Sequence, residues 1–159
     1  MRYGVGMYGG KFLPLHIGHA MCIAVCCAEC NEPHIILFAN GSDEERIRPS
    51  EDLSPDRRFA TLSAYVRDRY PHAHVHMIDV AGARKPDGSE DWDAETPLVR
   101  GILPHIDAIY SSEPSYAPYF SRAYPEAVHR LIDPGRTVVP ISGTAIRAMD
   151  PQEAERWMV

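Results

Sequence analysis

Apolar positions along this chain fall into short unbroken runs, and between the runs they recur at three- and four-residue spacing. The runs predict buried strands and the spaced segments predict helices. Met1 to Tyr8 reads as the first strand, with Gly9-Gly10 allowing a sharp backbone turn behind it. A helix follows from about His19 to Cys30, then a second strand, Pro33-His34-Ile35-Ile36-Leu37-Phe38-Ala39. Residues 40–54 form a polar, charged loop. Pro55 opens a helix reaching about Tyr70, whose apolar side carries Phe59, Leu62, Tyr65 and Val66. Beyond it the pattern gives a third strand from Ala73 to Val80, a Gly/Pro-rich loop from Gly82 to Asp91 and a helix from Ala94 to Leu103. A fourth strand, Asp107 to Ser112, leads into a short helix from Tyr116 to Ala123, and Val128 to Asp133 is the fifth strand. Strand and helix alternating in this way predict an α/β fold, a doubly wound five-stranded parallel sheet with helices on both faces. Such sheets bind ligands at the carboxyl ends of the strands, where the strand order reverses. Residues 1–159 fit a single domain, with a core of about 1–149 and a short helix over 151–158.

A length of 159 residues suffices for one well-formed hydrophobic core. The formal net charge of −6 argues against a general binder of nucleic acid or membrane, so any affinity for phosphate must be local. No apolar segment reaches the length of a membrane span and the N-terminus lacks a signal-peptide pattern, which makes the cytoplasm the expected location. Cys22, Cys26, Cys27 and Cys30 all fall within the first predicted helix. One helix cannot wrap four thiolates around a metal, nor readily hold two in disulfide geometry, so packing residues in a reducing compartment are expected. His72, His74 and His76 repeat with strand periodicity. A metal tract and a single exposed strand face both produce that pattern, and the exposed face is the expectation.

Two stretches carry candidate chemistry. The first is Gly9-Gly10-Lys11-Phe12-Leu13-Pro14-Leu15-His16-Ile17-Gly18-His19, between the first strand and the first helix. Pro14 fixes the turn, Gly18 lets the chain pass close to a ligand, and the helix start offers N–H groups and a positive dipole end. His16 and His19 can donate hydrogen bonds to phosphate oxygens there; surface caps or half of a zinc site are the plainer readings of two histidines so spaced. The second stretch is Pro140-Ile141-Ser142-Gly143-Thr144-Ala145-Ile146-Arg147. Ser142 is a good N-cap, Thr144 lies in the first turn, and Arg147 supplies a planar charged fork for phosphate.

The pair resembles the GxFxPxHxGH and ISxTxxR signatures of the nucleotidylyltransferase superfamily. Lys11 resembles the basic residue of the nicotinamide-nucleotide adenylyltransferases of the archaeal and NadR types. The resemblance extends over roughly the whole chain and implies a Rossmann-like fold. It also implies an ATP and phosphate site of Gly9, Gly10, Lys11, Phe12, His16, Gly18, His19, Ser111, Ser112, Arg136, Ile141, Ser142, Thr144 and Arg147. Ser111-Ser112-Glu113 matches the NadR segment beside the adenosine pocket, and Asp133-Pro134-Gly135-Arg136 its Asp-Pro-x-Arg stretch. Trp92, Arg57 and Arg46 (or Arg48) match the residues that hold the mononucleotide. Trp92 between two acidic neighbours is also what a loop anchor looks like, and Arg46 among Asp43, Glu44 and Glu45 also balances local charge. NadR-type proteins commonly continue into a kinase domain, and no P-loop GxxxxGK[ST] is present in this sequence.

The implied reaction is transfer of AMP from ATP to nicotinamide mononucleotide, giving NAD and pyrophosphate, with Mg²⁺ carried on the triphosphate. His16, His19, Lys11 and Arg147 are the implied catalytic residues, and no protein-held metal is implied. The expected partners are these small molecules alone, without nucleic acid or membrane; a homo-oligomer is left open. Other superfamily members act on phosphopantetheine or flavin mononucleotide or transfer a cytidylyl group, and a nucleotide-sensing module without turnover is the reading from another class.

Overall fold

The structure is a computed structural model and describes residues 1–40 and 53–159. Its elements in chain order are β1 (Tyr3–Gly10), α1 (Ile17–Glu29), β2 (Cys30–Ala39), α2 (Pro55–Arg69), β3 (His74–Asp79), α3 (Trp92–Ile102) and β4 (Ala108–Ser111). A 3₁₀ turn at Pro114–Tyr116 leads into α4 (Ala117–Ala123), followed by β5 (Val128–Leu131), α5 (Gly143–Ala148) and α6 (Pro151–Glu155).

The strands lie in the order β3-β2-β1-β4-β5, every neighbouring pair parallel. The order reverses at β1, so the crevice expected to take a ligand opens between the carboxyl ends of β1 and β4. Alternate residues of each strand feed opposite faces. On one face Tyr8, Ile35, Leu37 and Tyr110 pack against Cys22, Ile23 and Cys26 of α1 and Leu62 and Val66 of α2. On the other, Met7, Ile36, Ile78 and Ile109 pack against Val99 of α3 and Phe120 of α4. The doubly wound parallel sheet predicted from the pattern, and the Rossmann-like fold implied by the resemblance, are thus present. A third, smaller cluster joins Ile141, Ile146 and Ala154 to Ile17, Val139 and Trp157, and so ties α5 and α6 to the start of α1.

Three local expectations change. Gly9 and Gly10 remain in β1, paired with Ile36 and Leu37, and the turn begins at Lys11. Gly9 answers to crowding rather than turning, because a Cβ there would lie 2.4 Å from the Phe38 ring. β2 starts at Cys30, straight from the end of α1, so Pro33 sits inside a strand. That is tolerable because β3 joins β2 only from His34 onward, which leaves Pro33 outside that ladder. His72 falls in the turn before β3 and hydrogen-bonds the Cys27 carbonyl at 3.0 Å, while half-buried His76 meets His34 of β2 at 2.9 Å. Only His74 of the three presents an exposed position on the strand. All four cysteines are buried and free. Among the described residues no cluster of three or more His, Cys, Asp or Glu could hold a metal, and no helix is long and apolar enough to cross a membrane.

Candidate functional site

The turn from β1 to α1 builds the first part of the site. Phe12 adopts φ 48°, which tucks its ring into the core. There it lies edge-on to Tyr8 and 4.8 Å from the His19 ring, a support for His19 rather than part of a cavity wall. His16 is the N-cap of α1, and its Nδ1 accepts from the Gly18 N–H at 3.1 Å. His19 answers three residues on, its Nδ1 accepting from the His16 N–H at 3.2 Å. The two rings lie 3.8 Å apart. Gly18 is required, since a Cβ would stand 2.9 Å from the His16 ring.

These bonds fix the tautomers. Each Nδ1 is an acceptor, so each neutral ring carries its proton on Nε2. Withdrawal from water, with Arg136 nearby, lowers His16 to a pKa of about 4. Withdrawal from water followed by the neighbouring His16 and Arg136 pushes His19 well below its ordinary value. The helix start is less open than the sequence suggests. The Ile17 N–H donates to the Trp157 carbonyl at 2.9 Å and the Gly18 N–H to His16, so these groups are already used. What remains for an anion is the dipole end and the imidazole Nε2–H groups.

The far end of the chain closes over this turn. Arg147 of α5 donates to the Leu13 carbonyl at 2.5 Å and lies 3.3 Å from the Thr144 hydroxyl. Ser142 caps α5, accepting from the Ala145 N–H at 3.2 Å. Arg136, at φ 49°, donates to the Ile141 carbonyl at 2.7 Å. Its loop is nailed down by Asp133, whose carboxylate accepts from the N–H groups of Thr137, Val138 and Val139. Those bonds, the one from Val139 foremost, hold Asp133 at a pKa of about 2. Between the two ends lies a polar cavity of about 220 Å³, walled by His16, Gly18 and His19 on one side and by Arg136 and Gly143 on the other.

A second cavity of about 390 Å³ adjoins it, sharing Gly9, Gly10, Lys11, Ser111 and Tyr116. Its walls are aromatic. Trp92 at the start of α3 stands edge-on to Tyr116 at 5.0 Å and tilted against Tyr119 at 5.4 Å. The indole N–H donates to Glu90 at 3.3 Å, and the other Glu90 oxygen forms an ion pair with Lys11. Burial pushes the Glu90 carboxyl up, but the Lys11 hydrogen bond and charge, the Trp92 hydrogen bond and the Arg84 charge together outweigh it and leave the pKa lowered. Glu95, one turn along α3, is buried in the same wall, and burial with the Glu90 charge raises its pKa to about 7.

No family model matches the chain. It is 33% identical over 153 residues to the trifunctional NAD biosynthesis/regulator protein NadR of Escherichia coli (strain K12), a match covering 90% of this chain and 36% of that protein. This chain therefore spans about a third of that relative's length. A crystal structure of NadR protein in complex with NAD and AMP-PNP superposes with a TM-score of 0.73 at 23% identity, covering 97% of this chain and 44% of that one. A bifunctional NMN adenylyltransferase/ADP ribose pyrophosphatase from Francisella tularensis gives 0.67 at 15% identity, over 92% and 41%. The chain is thus similar in sequence to NadR over 90% of its length and shares the Rossmann-like fold of the nucleotidylyltransferase superfamily.

Set on that family's pattern, the residues divide. Gly9, Gly10, Lys11, His16, Gly18, His19, Ser111, Ser112 and Arg136 line the polar cavity, and Trp92 lines the aromatic one. Ile141 and Phe12 do not; both are buried in apolar clusters and hold the walls up from behind. Arg147, Ser142 and Thr144 are engaged in the clasp rather than among the residues lining either cavity. Arg57 is exposed on α2 and is not among the residues lining either cavity, and its neighbour Arg58 is the arginine that faces inward. Arg58 repeats at helical spacing with buried Leu62 and Val66 and donates to the carbonyls of Lys11 at 2.7 Å and Leu53 at 2.8 Å, bracing the turn. Arg46 and Arg48 lie outside the described residues. Asp133 lines the polar cavity from within the Asp-Pro-x-Arg stretch, whereas Glu90, Glu95 and Tyr119 line the aromatic cavity without a motif of their own. Glu95 alone carried a signal, an acidic residue three positions after Trp92 and so on the same helix face.

Proposed function

We propose that this chain transfers AMP from ATP to nicotinamide mononucleotide, forming NAD and pyrophosphate. One observation carries the reading: a polar cavity beneath two histidines and an aromatic cavity beneath a tryptophan meet at Gly9–Lys11, which is the layout two substrates need when one attacks the other. The triphosphate lies under His16, His19 and Arg136, and the pyridine ring lies against Trp92. The 5′-phosphate of the mononucleotide attacks the α-phosphorus of ATP in line, the bond to the β-phosphate oxygen breaks, and pyrophosphate leaves. A phosphate monoester is already anionic near neutral pH, so the step needs no general base. Its barrier is the approach of two anions and the charge on the leaving group, which positioned donors lower.

His16 and His19 act as Nε2–H donors to the phosphates, and Arg136 adds fixed positive charge. Lys11 stands where the cavities meet and neutralises charge on the transferring group. Trp92 favours a flat pyridinium by stacking, worth about 1–2 kcal/mol when desolvated. The carboxylates near the phosphates do not suit a protein-held cation. Asp133 is occupied by backbone N–H groups, and Glu113 accepts from the Ser115 N–H at 3.1 Å. The cation enters as part of the substrate, magnesium–ATP. Incubation with magnesium–ATP and nicotinamide mononucleotide should yield NAD and pyrophosphate in equal amounts. Pyrophosphate release with phosphopantetheine or flavin mononucleotide, and not with the pyridine nucleotide, would overturn the reading.

A further inference from the structure

The aromatic cavity carries an electrostatic feature that stacking does not require. Trp92, Glu95 and Val99 recur at three- and four-residue spacing along α3, so one helix face presents an indole, a carboxylate and an apolar floor to the same space. Among the described residues lining that cavity, Lys11 is the only cation, and it is already paired with Glu90. With Glu95 ionised the lining carries net charge −1. A buried carboxylate in a wall of tyrosines, tryptophan and valine is costly, and packing alone would be better served by leucine or glutamine.

Resting on the mononucleotide reading of this cavity, we propose that Glu95 is its specificity-determining residue: the carboxylate accepts an N–H from a pyridine carboxamide and repels a pyridine carboxylate. The chain then takes the amidated mononucleotide and rejects the deamidated one by charge. The two ligands share ring, ribose and phosphate, so only the group beside Glu95 separates them. Rejection by a placed like charge is a general means of telling near-isosteres apart.

Selection also depends on pH, because burial and Glu90 place the Glu95 pKa at about 7. The charged and titratable groups facing it are Lys11 after β1, Glu90 and Asp91 before α3, Arg84 in the loop after β3, and the Tyr119 phenol of α4. Below that pKa the acid is neutral, the Lys11–Glu90 pair balances, and a ring carboxylate meets no net charge from the described lining. Above it the repulsion is in place, so preference for the amide strengthens as pH rises.

The test is calorimetric titration of the full chain with nicotinamide mononucleotide and with nicotinate mononucleotide at pH 6 and pH 8.5, beside a separate NAD-formation assay. The phosphate ionisation common to both ligands cancels in the ratio of their affinities. In the wild type the amide-to-acid ratio should rise roughly tenfold or more between the two pH values. Glu95→Gln should remove that rise and lower the ratio at pH 8.5 by about the same factor, through tighter binding of the acid. Glu95→Ala serves as the second variant, and thermal melts confirm that each is folded. A folded Glu95→Gln that keeps the wild-type ratio and its pH dependence overturns the proposal, whether or not NAD is formed. A wild type that shows the Glu95-dependent ratio and makes no NAD supports the proposal and overturns the transfer reaction. A wild type that binds neither mononucleotide overturns both.

Discussion

A neutral imidazole whose Nδ1 accepts a backbone N–H has one proton to give, and both His16 and His19 are held in that state. His19→Ala should therefore lower turnover by roughly 10²-fold or more, the loss typical of a removed transition-state donor, with the protein still folded although the cap on the His16 N–H is lost. For His16 the consequence is a pH dependence. Its folded pKa of about 4 lies below the unfolded value of 6.5, so as pH falls through that interval the unfolded chain takes up a proton that the native chain refuses. The His16 contribution to stability is whole above about 6.5 and declines toward about 4, and NMR titration of the free protein should show no His16 inflection between pH 5.5 and 8. Trp92→Ala should weaken binding of the mononucleotide far more than of ATP; equal losses by calorimetry would make Trp92 a structural residue. The identity of the two histidines was legible because motif spacing survives in sequence. Their tautomers were not, because these depend on backbone N–H groups whose partners are set only once α1 is formed.

Element by element, β1, β2 and β4 were readable because their apolar runs are buried on both sides, and such runs have few alternatives, whereas the edge strands β3 and β5 are exposed or half-buried at most positions. Boundaries slipped where one element flows into the next without a loop, as α1 does into β2 at Cys30. The α2 arginines show a finer limit. Arg57 and Arg58 are equal as sequence letters, yet a turn of about 100° per residue puts them on different faces, and register with Leu62 and Val66 selects Arg58. Removing a buried donor leaves two carbonyls without their partner. Arg58→Leu should cost about 2–3 kcal/mol by denaturant unfolding. Arg57→Ala should stay within about 0.5 kcal/mol, as exposed substitutions do. A comparable loss from both would remove Arg58 from its bracing role.

For the molecule as a whole, the cleft depends on contacts between the ends of the chain. The Trp157 carbonyl receives the Ile17 N–H, and Trp157 packs in the cluster that seats α5 and α6. A chain ending at Met149 should melt roughly 5 °C lower or more and lose affinity for ATP more than for the mononucleotide, measured by thermal scan and calorimetry. The paired motifs announced that the two ends meet, but not the Ile17–Trp157 bond, which runs through backbone atoms that every residue possesses. The bond from Arg147 to the Leu13 carbonyl spans 134 positions. The histidine turn therefore leaves the ribosome before the arginine that clasps it. A nascent chain cannot close this clasp until the residues between Leu13 and Arg147 have all been made, so the turn must wait without its partner while the whole sheet is synthesised.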